Sequence, residues 1–309
     1  MPNKSFLLVV VGPTAIGKTA LAIALAQHFN SEIISCDSRQ FYQEMTLGTA
    51  VPSKEELAAA PHHFIQNKSI FESFSVGDFE REALAKLDQL FQQHPVQVMV
   101  GGSGLYVNAV LEGLDDFPDI DPEIRATLNQ RLETEGLEAL QEELRLLDPI
   151  HYEKVALQNP QRVIRALEIC IGTGKPYSSF LNNKAKKRSF IPIVIGLEAP
   201  RDQMYERINK RVDIMVENGL LEEAKALYPN RTLNALQTVG YRELFDYFDG
   251  VYSLETALEE IKKNTRRFAK RQMTWFKRTP ENTIWVDYQT PTTEVCNLIQ
   301  TKLDEYAHS

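Results

Sequence analysis

Phe6-Leu7-Leu8-Val9-Val10-Val11-Gly12-Pro13-Thr14-Ala15-Ile16-Gly17-Lys18-Thr19 runs from an uninterrupted apolar segment straight into a G-x-x-x-x-G-K-[ST] loop. The apolar run is bounded as a buried strand is, and an apolar-periodic helix is expected from Lys18 onward. In that setting the glycines let the backbone curl so that its N–H groups and the helix N-terminus face phosphate oxygens. Lys18 adds a point charge, and the Thr19 hydroxyl is suited to ligating Mg²⁺. Gly12, Pro13, Thr14, Ala15, Ile16, Gly17, Lys18 and Thr19 are therefore the candidate phosphate-binding residues. The loop fits any polyphosphate, whether a nucleotide or another diphosphate ester.

Outward from this loop, β-rich runs alternate with helical periods: Glu32–Cys36, a helix near Phe79–Gln93, then Val96–Val100. This βαβ rhythm predicts a parallel sheet with crossover helices. From Asp115 to about Arg188 the pattern is helical without a convincing strand, with Pro118 and Pro122 at its start. A strand returns at Ile191–Leu197, followed by helices near Arg201–Asn218, Leu220–Leu227 and Leu254–Lys277, a strand at Thr283–Val286 and a closing helix. The expected fold is α/β: a P-loop NTPase-like parallel sheet with flanking helices, formed by residues 1–114 and 189–309, carrying an all-helical insertion at 115–188.

Asp37-Ser38-Arg39-Gln40 follows the second strand and so lies at the ligand-binding edge of such a sheet. An aspartate there can accept a proton, hold magnesium through water, or cap a turn. Gly101-Gly102-Ser103-Gly104 follows another strand toward the same rim; its glycines allow close approach of a substrate or simply a tight turn. Arg207 and Arg211 stand one turn apart on the helix after Ile191–Leu197, where either can be aimed at phosphate.

The chain has 309 residues, 43% of them hydrophobic, and a formal net charge of −8, which argues against a nucleic-acid partner if taken as a sum. Its distribution is uneven. Acidic residues gather in Asp115–Glu143, whereas Lys184–Arg188 and Lys262–Arg278 are basic. In the second run, Leu258, Ile261, Phe268 and Trp275 read as a core-facing helical stripe, leaving Lys263, Arg266, Arg267 and Lys270 as a cationic face. Gln161 and Arg165 are spaced i,i+4, with Arg162 beside them. The cysteines Cys36, Cys170 and Cys296 form no CxxC pair, and His62-His63 has no companion ligand motif, so no zinc site is expected. No run of 18 apolar residues and no signal peptide is present, which places the chain in the cytoplasm. Nothing signals a protein partner, and a monomer is expected.

Over nearly its whole length the sequence resembles the tRNA dimethylallyltransferase family, through Gly12–Thr19, Asp37–Tyr42, Pro61–Phe64, Val100–Tyr106, Asp121–Arg125, Asn159–Ser178, Val239–Tyr241 and Lys270–Trp275. The resemblance implies that Thr14–Thr19 holds dimethylallyl diphosphate, with Thr19 on Mg²⁺. Lys18 and Arg211 would neutralise the departing diphosphate, and Asp37 would act as general base for the exocyclic amine of the adenosine 3′ to the tRNA anticodon. Asp37, Ser38, Arg39, Gln40, Ser103, Arg125, Gln161, Arg162, Val163, Ile164 and Arg165 match positions that contact tRNA, Ser103 also counting among the catalytic positions. Members hold the anticodon stem-loop with the target adenosine flipped out. Ile16 stands where the family commonly has serine, with little loss expected because backbone does the cradling. Rival readings are an adenylate isopentenyltransferase, a P-loop kinase using Asp37 on a hydroxyl, and a non-catalytic RNA-binding regulator.

Overall fold

The computed structural model describes residues 4–181, 186–278 and 282–308. The chain divides into two compact units, Met1–Glu112 with Lys187–Ser309, and Gly113–Lys186, where the sequence reading has 115–188. Of the basic run Lys184–Arg188, residues 184 and 185 lie outside the described residues.

In the larger unit six strands form one parallel sheet: β1 (Ser5–Val11), β2 (Ile33–Ser35), β3 (His62–His63), β4 (Val96–Val100), β5 (Phe190–Glu198) and β6 (Ile284–Asp287), in the order β3-β2-β4-β1-β5-β6. β1 is central because its apolar residues have two faces to cover. Phe6, Leu8 and Val10 enter one core with Leu21, Leu25 and Ile299, while Leu7, Val9 and Val11 enter the other with Phe79, Leu87 and Val110. This period of two is what a strand buried on both faces requires, and each such side chain contributes about 1.5–3 kcal/mol. Val10 pairs with Val100, and Ser35 also pairs with Val100, so the carboxyl ends of β1, β2 and β4 stop level with one another. The loops that follow them therefore emerge at one edge.

The two-residue strand His62–His63 and the short helices Lys54–Ala59, Gly104–Leu111 and Tyr241–Phe248 fall outside the sequence reading. Lys54–Ala59 was nonetheless signalled: Ser53 and Glu56 form a reciprocal capping box. A third apolar core, around Met45, Leu236, Tyr241, Phe245 and Ile261, joins the helices after β5.

The long helix Leu254–Phe276 departs from its expected stripe. Its buried positions are Ala257, Ile261, Ala269, Gln272 and Phe276, whereas Phe268 and Trp275 are each 38% exposed. Phe268 lines a cavity described below, and Trp275 covers Gly104 and reaches Asn108 Oδ1 at 3.4 Å. The expected cationic face is also partly engaged within the protein: Lys263 pairs with the Glu260 carboxylate, while Arg266 and Arg267 keep their charge but donate to the side-chain amides of Asn209 and Asn264. Lys270, Arg271 and Arg278 instead gather around Trp275.

The smaller unit is helical among its described residues. Asp121 and Asn159 cap the helices Pro122–Glu135 and Pro160–Thr173, each with proline at its start, and Gly174 ends the second at φ +67°. Its core is Leu128, Leu140, Leu144, Val163, Ile164 and Leu167. Val163 and Ile164, expected to face RNA, are fully buried, so their side chains serve packing.

Candidate active site

The first loop is built around backbone that L-residues rarely adopt: Gly12 at φ +146°, Gly17 at +110° and Ala15 at +64°. A Cβ on Gly12 would sit 2.8 Å from Leu197 O, so glycine is needed there for packing as well as curvature. The helix Lys18–Phe29 starts without a side-chain cap, leaving its first N–H groups for an anion. Lys18 Nζ donates to Pro13 O at 2.8 Å. Burial pulls the Lys18 ammonium down to about 7, the Arg211 guanidinium adds to the effect, and Asp37 opposes it. Burial likewise lowers Arg211, against the pull of Asp37 and Glu56. Two cations held close together and partly withdrawn from water favour an anion beside them.

Gln272 ties this loop to the third one. Its Oε1 accepts from Thr14 N at 2.9 Å and its Nε2 donates to Gly102 O at 2.9 Å. The sequence shows Gln272 only as a polar position on a basic helix; its burial is what reveals the bridge. The glycines of the third loop are needed for internal packing, and Gly101 also lines the cavity that holds Lys18 and Arg211. A Cβ on Gly101 would lie 1.9 Å from Cys36 O, and one on Gly102 would lie 2.2 Å from Gln272 Nε2. Ser103 accepts from Ser38 N at 3.0 Å and donates to Ser38 Oγ at 3.2 Å, which joins the second and third loops.

Asp37 takes the turn-capping role and keeps a reactive oxygen. Arg39 N donates to Oδ1 at 3.0 Å, while Oδ2 has no hydrogen-bond partner among the described residues. Arg39 and Gln40 are less free than base-reading residues need to be. Arg39 Nη1 donates to Asn234 O and Ala235 O at 2.9 and 3.0 Å. Gln40 Nε2 donates to Thr49 O and Ala50 O, at 3.2 and 2.9 Å, and its Oε1 accepts from Ser35. Gln40 thus holds the segment 46–50 rather than presenting an amide to a ligand. Glu223, unmarked in the sequence, holds the same segment: its carboxylate accepts from the N–H groups of Thr46, Leu47 and Gly48 and from the Tyr241 hydroxyl at 2.6 Å.

Two cavities meet at these loops. One, of about 620 Å³, is predominantly cationic in its charged lining, with Lys18, Arg207, Lys210 and Arg211 against Asp37 and Glu56, and also takes in Thr19 and His62. The other, of about 240 Å³, is largely apolar, lined by Ile208, Val212, Met215, Leu220, Ile261 and Phe268. Thr14, Asp37, Thr49, Ala50 and Arg211 line both. Arg207 is confined to the cationic side, where its Nε donates to Ala15 O at 2.9 Å and it stacks over Tyr288. Asp37 and Arg211 are therefore the charged pair at the boundary. No cluster of three or more His, Cys, Asp or Glu suited to a metal occurs among the described residues, and no described helix is long and apolar enough to cross a membrane.

Arg125, Gln161 and Arg165 come together in the smaller unit around the carboxylate of Glu168, and Arg162 is exposed beside them.

A family model described as IPP transferase matches residues 40–279, beginning just past Asp37 and well after the P-loop. The tRNA dimethylallyltransferase of Flavobacterium johnsoniae is 62% identical over 300 residues, spanning 95% of this chain and 97% of that one. The solved tRNA isopentenylpyrophosphate transferase of Bacillus halodurans is 41% identical, with a TM-score of 0.72 and 99% of each chain covered. A eukaryotic dimethylallyltransferase captured acting on tRNA superposes with a TM-score of 0.79 at 26% identity, over 93% of this chain and 74% of that one. With the family model spanning most of the sequence and a relative this similar along nearly its full length, the chain belongs to the IPP transferase family.

Proposed function

We propose that the protein transfers a dimethylallyl group from dimethylallyl diphosphate to the exocyclic N6 amine of the adenosine 3′-adjacent to a tRNA anticodon, releasing diphosphate. The observation that carries this reading is the position of Asp37, at the boundary between a cationic cavity and an apolar one. A prenyl diphosphate is itself divided this way, into a charged leaving group and a short apolar chain. Its reacting carbon belongs where the two meet.

The adenine amine attacks the allylic C1 as the C1–O bond to diphosphate breaks. The proton lost from nitrogen passes to Asp37, whose Oδ2 is free to take it. Lys18 and Arg211 stabilise the charge that builds on the departing oxygens, and Arg207, with the uncapped helix N-terminus, holds the far phosphate. The enclosing apolar walls exclude water, which would otherwise capture the allylic carbon. Ser103 and Ser38 hold the Asp37 loop in place.

The residues present fit Mg²⁺. Thr19 lines the cationic cavity and its hydroxyl has no hydrogen-bond partner among the described residues. Mg²⁺ ordinarily keeps several waters and takes one or two protein oxygens alongside substrate phosphate, so a multi-carboxylate cage is not required. When bound by Thr19 it supplies further neutralisation of the diphosphate.

The helical unit contributes RNA contacts through Arg125, Gln161, Arg162 and Arg165, while Lys270, Arg271 and Arg278 with Trp275 form a second basic, aromatic surface for the RNA backbone. We read the enzyme as cytoplasmic, where a tRNA substrate is met, and as a monomer. The test is to incubate the protein with Mg²⁺, dimethylallyl diphosphate and an unmodified anticodon stem-loop, and to weigh the RNA by mass spectrometry. A gain of one C₅H₈ on the adenosine after the anticodon supports the reading. Prenylation of free adenylate alone, or phosphate transfer from a nucleotide, would replace it with one of the rival activities.

A further inference from the structure

Glu168 lies on the helix Pro160–Thr173 with its side chain 8% exposed. One oxygen, Oε2, accepts from two guanidiniums, Arg125 Nη1 and Arg165 Nη1, each at 3.0 Å. Arg125 also donates through Nη2 to Gln161 Oε1 at 3.0 Å. The Arg165 guanidinium lies 5.4 Å over the ring of Phe117, which is itself stacked on Tyr177 with 4.8 Å between centroids. The two arginine side chains remain 40% and 41% exposed.

One buried carboxylate thus holds two cations, leaving a net positive charge at the surface. Both guanidiniums are fixed before any ligand arrives. A free surface arginine loses rotamer entropy when it grips a phosphate, and a guanidinium already oriented avoids most of that loss. We propose that Glu168 is a positioning residue that presents Arg125 and Arg165 as a preformed pair for an RNA phosphodiester. This rests on the reading of the helical unit as RNA-binding given above.

Electrostatics supplies a discriminating sign. Were Glu168 merely a negative charge near the RNA, removing that charge would tighten binding, since each unopposed cation strengthens attraction to phosphate. A positioning role gives the opposite result.

The experiment measures the affinity of the full-length enzyme for an unmodified anticodon stem-loop over a salt series, with steady-state kinetics alongside. Glu168→Gln is expected to weaken RNA binding about tenfold, the loss of one oriented charge-assisted contact. The KM for RNA should rise by a similar factor, with kcat at saturating RNA and the KM for the prenyl donor held. In an Arg125→Gln/Arg165→Gln background the same substitution should change nothing further. Tighter or unchanged binding of Glu168→Gln overturns the proposal, as does an equal loss in the arginine-free background, which is what a folding role produces. If Glu168→Gln fails to fold, Glu168→Asp carries the test, since its shorter side chain keeps the charge but cannot hold both guanidiniums: weaker RNA binding, with no further loss in the Arg125→Gln/Arg165→Gln background, supports the proposal, and unchanged binding overturns it. An unaltered enzyme that binds no stem-loop removes the RNA reading itself. One that binds it as well as its variants do removes only the role of Glu168.

Discussion

Lys18 is where the binding of an anion conflicts most directly with the stability of the empty protein. An unfolded lysine titrates at about 10.5 and the folded one at about 7, so between these values the unfolded chain binds more protons and stability rises with pH. Linkage puts the cost of keeping this ammonium in the fold at about 4 kcal/mol at pH 7 and about 2 kcal/mol at pH 9. The lysine side chain is partly exposed, and water reaching it roughly halves both figures.

Lys18→Met keeps the aliphatic stem, removes the charge and gives up the hydrogen bond to Pro13 O, which is worth about 1 kcal/mol. The variant should therefore be about 1 kcal/mol more stable than the unaltered protein at pH 7 and equal to it near pH 9. Its turnover should nonetheless fall on the order of a hundredfold or more, because the leaving diphosphate loses a charge partner. Urea unfolding midpoints at pH 7, 8 and 9 read the first effect, and single-turnover prenyl transfer reads the second. A variant less stable at pH 7, or a stability difference that does not shrink as pH rises, would refute the burial argument.

Asp37→Asn should lower the rate of the chemical step by about a hundredfold or more while stem-loop affinity stays within about twofold; a near-normal single-turnover rate would exclude Asp37 as the proton acceptor. Gly101→Ala drives a methyl group to 1.9 Å from Cys36 O, between two central strands, and is expected to cost about 3 kcal/mol or more, seen as loss of soluble protein or a large drop in urea midpoint. Glu223→Gln replaces one of the two carboxylate oxygens that accept from the N–H groups of Thr46, Leu47 and Gly48 with an NH2 donor. It should cost about 1–3 kcal/mol of stability and raise the KM for the prenyl donor, since Thr49 and Ala50 wall both cavities; unaltered kinetics would detach that segment from the site.

What the sequence discloses here is chemistry held in contiguous residues. The strand ending at Val11, the turn Gly12–Gly17 and the helix from Lys18 form one local unit whose period changes from two to 3.6, so both fold and phosphate site are visible in a single segment. Asp37 and Ser103 are legible for a related reason: each follows a strand, and parallel strands deliver their carboxyl ends to one edge. Gln272 and Glu223 are invisible because they bond backbone 258 and 176 residues away in sequence, and Glu168 because, beyond Arg165 one turn away on its own helix, its second arginine lies 43 residues away. Polar residues on amphipathic helices, they carry no local mark of the burial that gives them a role. Phe268 and Trp275 show the converse error. Helical spacing predicts a shared face but not what faces it, and a cavity wall or a basic surface accepts an aromatic ring as readily as a core does.

The same distinction explains why an acidic total charge misleads. The formal sum of −8 counts every carboxylate as though it projected its field into solvent. Glu168 is bound by two arginines, so its charge is more than offset where it stands, and Glu223 is turned inward onto three backbone N–H groups and a phenol. Lys270, Arg271 and Arg278, by contrast, line an open surface around Trp275. Only charge left uncompensated at the surface steers a polyanion, because interactions between exposed groups are screened within about 10 Å at moderate salt. An RNA therefore meets local basic patches rather than the net charge of the chain, and acidic residues that orient arginines strengthen such a patch by fixing its geometry.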